Sequence, residues 1–128
     1  AVVCLLVQDH ISKYHRSRRL NFSRQEEEKM VEIAVETRFP SGIDQEEARD
    51  VLGDALRREA KLAEAKYVYF KRMCQVFEEK YRMSSLKFMQ QFESGDLGDD
   101  AEYFDWYAAK RGRDLWERRF HILSGIQI

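Results

Sequence analysis

The chain has 128 residues, enough for one ordinary domain and short for two. Its charged fraction of 35% and hydrophobic fraction of 44% exclude a disordered chain and suit long helices with charged outer faces. Acids and bases nearly cancel at a formal net charge of -1, which excludes a global pull towards nucleic acid or membrane but not a local basic patch.

The apolar run Ala1–Val7 is far short of the roughly 20 residues of a membrane span. No basic segment precedes it, as a signal peptide would require. Met30 directly precedes a structured-looking segment. Residues 1–29 are therefore expected to be a dispensable N-terminal arm, and residues 30–128 a single helical interaction domain. Cys4 and Cys74 show neither metal-ligand spacing nor a disulfide framework, so reduced thiols and a cytoplasmic location are expected. The basic cluster His15-Arg16-Ser17-Arg18-Arg19 and the acidic run Glu26-Glu27-Glu28 read as solvated surface.

Val31, Ile33, Val35, Thr37 and Phe39 alternate with mostly polar neighbours, the period of a half-buried strand. Pro40-Ser41-Gly42 ends it. A lone strand leaves its backbone unpaired, so it needs the N-terminal arm, another copy or a different protein. Asp44, with Glu47 three residues on, predicts a helix start. Nothing but Gly53 interrupts that helix up to about Tyr81. Ala48, Ala55, Leu62, Tyr69 and Val76 recur every seven residues, beside Leu56, Ala63, Phe70 and Phe77. The two series form one apolar stripe that needs a packing partner. Glu59 and Lys66 break a third row, so a pure two-stranded zipper is not expected.

Ser84 predicts the cap of a second helix carrying Phe88, Met89 and Phe92. Ser94-Gly95-Asp96-Leu97-Gly98 breaks it, and Asp99 is expected to cap a third helix, with Glu102 at the capping-box position, running to about Leu123. On this last helix Phe104, Ala108, Leu115 and Ile122 share one face, with Tyr103 and Tyr107 at its edge. Trp106, Ala109, Trp116, Phe120 and Leu123 share another. One face can pack on the long helix, forming an antiparallel hairpin. That leaves Trp106, Trp116 and Phe120 as the expected partner-binding face, since large exposed aromatics mark interfaces. The fold class is thus mostly α: a long helical hairpin, a short additional helix and one short N-terminal β-strand.

Residues 77–109 read Phe-Glu-Glu-Lys-Tyr-Arg-Met-Ser-Ser-Leu-Lys-Phe-Met-Gln-Gln-Phe-Glu-Ser-Gly-Asp-Leu-Gly-Asp-Asp-Ala-Glu-Tyr-Phe-Asp-Trp-Tyr-Ala-Ala. This stretch, about a quarter of the chain, resembles small archaeal and bacterial proteins assigned as antitoxins of type II toxin–antitoxin pairs. Arg82 stands where that pattern carries glycine, and Leu86-Lys87 replaces a more usual acidic pair. The resemblance implies binding and inactivation of a cognate toxin, often a ribonuclease. By position it implies a binding region of Phe88, Phe92, Leu97, Tyr103, Phe104, Trp106 and Tyr107, some of which must instead hold the loop to the hairpin.

Other chemistries find less in the sequence. Asp96, Asp99, Asp100 and Glu102 crowd one loop but lack calcium-loop spacing, so no metal or other cofactor is expected. His10, His15 and His121 join no nucleophile or orienting group, so no enzyme is expected. Operator DNA is the rival partner: Arg18–Phe22 as a strand, a helix from Ser23 through Glu36 and a second from Asp44 would make a ribbon-helix-helix regulator, which conflicts with the strand at 31–39. A self-associating coiled-coil scaffold, or a homodimer alongside toxin binding, is a further alternative.

Overall fold

A computed structural model describes residues 28–128 and the backbone of Val2–Val3. The chain is mostly helical, in the order β1 (Val2–Val3), β2 (Val35–Glu36), α1 (Gln45–Tyr81), α2 (Ser85–Glu93) and α3 (Ala101–Gly125). It divides into two compact units, one holding the described residues up to Arg58 with Ile122–Ile128, the other Glu59–His121. The basic cluster at 15–19 and the proposed strand at 18–22 lie outside the described residues, as does almost all of the expected arm.

The strand predicted over 31–39 is realised only at Val35–Glu36. It pairs antiparallel with β1, Val2 opposite Glu36 and Val3 opposite Val35, so its partner is the N-terminal arm. With two residues in the ladder, the flanking backbone gains no regular pairing and stays irregular. Residues 28–34 carry no helix, so the helix from Ser23 through Glu36 that a ribbon-helix-helix layout needs is absent over its described part.

α1 begins as predicted. The Glu47 N–H donates to Asp44 Oδ1 at 2.8 Å, satisfying one of the orphan donors of the first turn. Its 37 residues run about 55 Å. It ends at Arg82, whose φ of 48° is the only positive value of a non-glycine residue among those described. The Met83 N–H then reaches back to the Glu78 carbonyl at 3.3 Å, the left-handed closure that glycine usually makes. α2 starts under Ser84, whose side chain accepts the Lys87 N–H at 3.2 Å. It ends at Glu93, and the turn beyond it closes at Gly95, with φ of 79°, where the Asp96 N–H donates to the Gln91 carbonyl at 3.1 Å.

The third helix departs from expectation at its start. Asp100, not Asp99, is the cap: its Oδ1 accepts the Glu102 N–H at 3.0 Å and its carbonyl the Tyr103 N–H at 3.0 Å. Glu102 does not close a capping box on Asp99. Its carboxylate takes the Lys80 ammonium at 2.6 Å and the Tyr81 hydroxyl across the hairpin. Those cationic and phenolic donors compete for the oxygens a box would use. The helix also outlasts the predicted Leu123, ending at Gly125.

Within residues 59–121 α1 and α3 form an antiparallel hairpin. Lys66 meets Trp116, Phe70 meets Gly112 and Lys80 meets Glu102, so position rises on one helix as it falls on the other. A Cβ on Gly112 would lie 2.8 Å from the Phe70 ring, so only glycine lets that ring lie on the α3 backbone. The core contains Ala63, Cys74, Phe88, Trp106 and Ala109, with Phe70, Met73, Phe77 and Tyr81 packed half-buried around it.

Candidate partner-binding surfaces

Trp106 organises the closed end of the hairpin. Its ring stacks on Phe88 at 4.0 Å between centroids and 4° between planes. Tyr81 and Phe77 stack on it from α1 at 5.5 and 5.7 Å. The buried indole N–H needs an acceptor, and Ser85 Oγ supplies it at 2.9 Å. Ser85 is itself fully buried, and its backbone N–H donates to Glu78 Oε2 at 2.9 Å. The adjacent serines thus divide two tasks: Ser84 caps α2, and Ser85 satisfies the tryptophan. Burial pushes the Cys74 thiol above its ordinary range, outweighing the Arg113 charge and a hydrogen bond with Ser85 that act the other way. That makes Cys74 an inert packing group.

The expected binding residues therefore part company. Phe88 is fully buried and Trp106 is 1% exposed, so in this fold neither can meet a partner. Phe92, half-buried, touches the rings of Phe88, Phe104 and Tyr107. Leu97, Tyr103 and Tyr107 pack half-buried against the same cluster. Trp116 is half-buried, with Lys66 Nζ 4.2 Å and Arg119 Cζ 4.9 Å from its ring centroid. Those cations on its π faces partly replace the water an exposed indole would keep. Phe120 is half-buried as well. Of the nine only Phe104 points outward, at 55% exposure.

The two faces of α3 are thus exchanged relative to expectation. The Trp106–Ala109–Trp116–Phe120 face packs inward, and the Phe104–Ala108–Leu115 face looks out, with Leu115 49% exposed. Ile122, in the other unit, is exposed too. Arg111 and Arg118 also lie on the outer face. Arginine seldom belongs in a core, so these two positions carried a sequence signal that apolar counting overlooked.

The stripe on α1 splits in the same way. Ala63, Phe70 and Phe77 turn inward, while Leu62, Tyr69 and Val76 are 45%, 59% and 63% exposed. These three form a straight seven-residue row within the apolar stripe that the sequence pattern says needs a packing partner. A separate apolar surface lies on the extended segment before α1, where Met30, Val31, Ile33 and Phe39 are exposed. Among the described residues there is no cluster of metal-ligating side chains. Nor is any described helix long and apolar enough to cross a membrane. Comparison with protein-family models, curated proteins and solved structures finds no significant match.

Proposed function

We propose that this protein is a cytoplasmic binding protein of antitoxin type, which neutralises a cognate toxin by covering it and performs no catalysis. The observation that carries the reading is the exposed row Leu62, Tyr69 and Val76 on α1. A folded chain gains by burying such a row against another protein, and a central aromatic flanked by aliphatic groups suits an interface anchor. Occlusion follows: a rigid helix laid across the toxin's substrate path blocks it without chemistry. The exposed strip Val31, Ile33 and Phe39 fits a second contact, adding a strand to an exposed sheet edge of the toxin.

Two features of the 77–109 stretch support the resemblance behind this reading. Arg82 occupies the pattern's glycine position and has the left-handed backbone that favours glycine. The Ser-Ser pair and the tryptophan of the pattern meet in one hydrogen bond. The shared residues then encode the closed end of the hairpin, and the contact surface lies elsewhere.

The test is co-expression with the product of the adjacent gene. A stable complex and relief of growth arrest are expected. Leu62→Asp with Val76→Asp should abolish both while leaving the helical circular dichroism and Tm near those of the parent. Absence of a complex with that neighbour, or full rescue by the double variant, would refute the assignment.

A further inference from the structure

The outer face of α3 differs from that of α1 in its charge. Residues 96–105 hold five acids (Asp96, Asp99, Asp100, Glu102, Asp105) and no base. Residues 110–119 hold five bases (Lys110, Arg111, Arg113, Arg118, Arg119) against Asp114 and Glu117. Some of these charges are engaged within the hairpin, Glu102 by Lys80 and Lys110 by Asp114. Asp99, Asp100, Asp105, Arg111, Arg118 and Arg119 are all exposed. Between the acidic and basic halves runs an exposed row, Phe104, Ala108, Arg111, Leu115 and Arg118, at spacings of four, three, four and three. That is the period of a coiled-coil seam.

From the seam and the charge division we infer that α3 pairs with α3 of a second copy of this chain, antiparallel, in a two-fold dimer. Antiparallel pairing sets each acidic half against the partner's basic half, whereas parallel pairing sets like against like. The register that uses the row best places Phe104 on the partner's Leu115 and Ala108 beside the partner's Arg111. The small alanine leaves room for the arginine stem to lie along the seam with its guanidinium in water. Arg118 and Arg119 then lie over the partner's acidic start of α3. A C2 interface is self-complementary, and a patch that is acidic at one end and basic at the other meets that condition by itself. Two arginines in the seam and a contact of one helix per copy make this a weak dimer, dissociating in the micromolar range. The inference does not rest on toxin binding, which uses α1.

Sedimentation equilibrium or light scattering of the purified full chain, alone, over a wide concentration range tests it. A dimer that weakens with added salt is expected. Leu115→Glu should raise the dissociation constant at least about tenfold. Arg118→Glu with Arg119→Glu should weaken the dimer comparably. Leu62→Asp with Val76→Asp should leave it intact, which separates this test from the toxin assay. For orientation, Phe104→Cys and Leu115→Cys chains in a Cys4→Ser background should cross-link to each other and not each to itself. A strict monomer at hundreds of micromolar, a dimer indifferent to Leu115→Glu, or self-cross-linking of the Phe104→Cys chain would each overturn the inference.

Discussion

The two faces of α3 are similar in apolar content and opposite in fate. On the inner face Trp106 is wrapped by three rings and its N–H is satisfied by Ser85. On the outer face Phe104 and Leu115 stand about half in water. The difference lies in what each face meets. The inner face meets a complementary surface on α1, where the Phe70 ring lies against Gly112, and on the outer face Phe104 touches the Phe92 ring. Apolar count measures the drive to be buried, and complementarity decides which face wins it.

Substitutions that treat the faces alike should expose this asymmetry. Trp106→Ala removes the hub of the stack and strands Ser85, and should cost about 3–5 kcal/mol. Leu115→Ser, measured at a concentration that keeps the chain monomeric, should change stability by no more than about 0.5 kcal/mol. Urea denaturation followed by circular dichroism reads both, and comparable losses would mean that the faces are not distinct. Gly112→Ala puts a methyl group against Phe70 and should destabilise by about 1–3 kcal/mol, although alanine is the better helix former. A gain in Tm would show that the ring yields. Arg82→Gly should stabilise by about 0.5–1 kcal/mol, because relief of left-handed strain exceeds the entropic cost of glycine.

The smallest effect concerns pH. The Glu102 carboxyl is held below its ordinary range by Lys80 first and by Tyr81 second. Its folded pKa is depressed, so its contribution is present above the ordinary carboxylate value and fades as pH falls through the folded one. The Tyr81 hydroxyl, donating to that carboxylate, is pushed up to about 12 from 10. Its contribution is complete below the ordinary value and is lost as pH rises through the raised one. Glu102→Gln should therefore flatten the stability profile at both edges and leave the plateau between them slightly lower. An unchanged acid limb in the variant would show that Glu102 is not responsible for it.

Much of this fold was legible from the residues. Asp44 and Ser84 announced two helix starts because a short polar side chain can satisfy orphan N–H groups where few others can. The break at Ser94–Gly98 was legible for the related reason that glycine reaches left-handed backbone at no steric cost. The start of α3 was misread by one residue, since Asp99 and Asp100 are chemically identical caps and only the path of the loop selects between them. The strand at 31–39 was overread: alternation reports a willingness to pair, and only two residues found a partner. The exposed surface was the least legible. Trp106 and Phe88 looked like surface anchors because their cover comes from α1 and from each other.

What the sequence alone determined is the set of helices, where α1 and α2 begin, and the fact that α1 and α3 each carry more apolar surface than one neighbour can cover. Those properties are local, set by periodicity and by backbone chemistry within a few residues. Which surplus is hidden and which stays exposed was decided only by the tertiary structure. It depends on whether rings, a glycine and a serine from distant positions fit one another, and shape complementarity across some twenty or more residues of separation has no periodic signature.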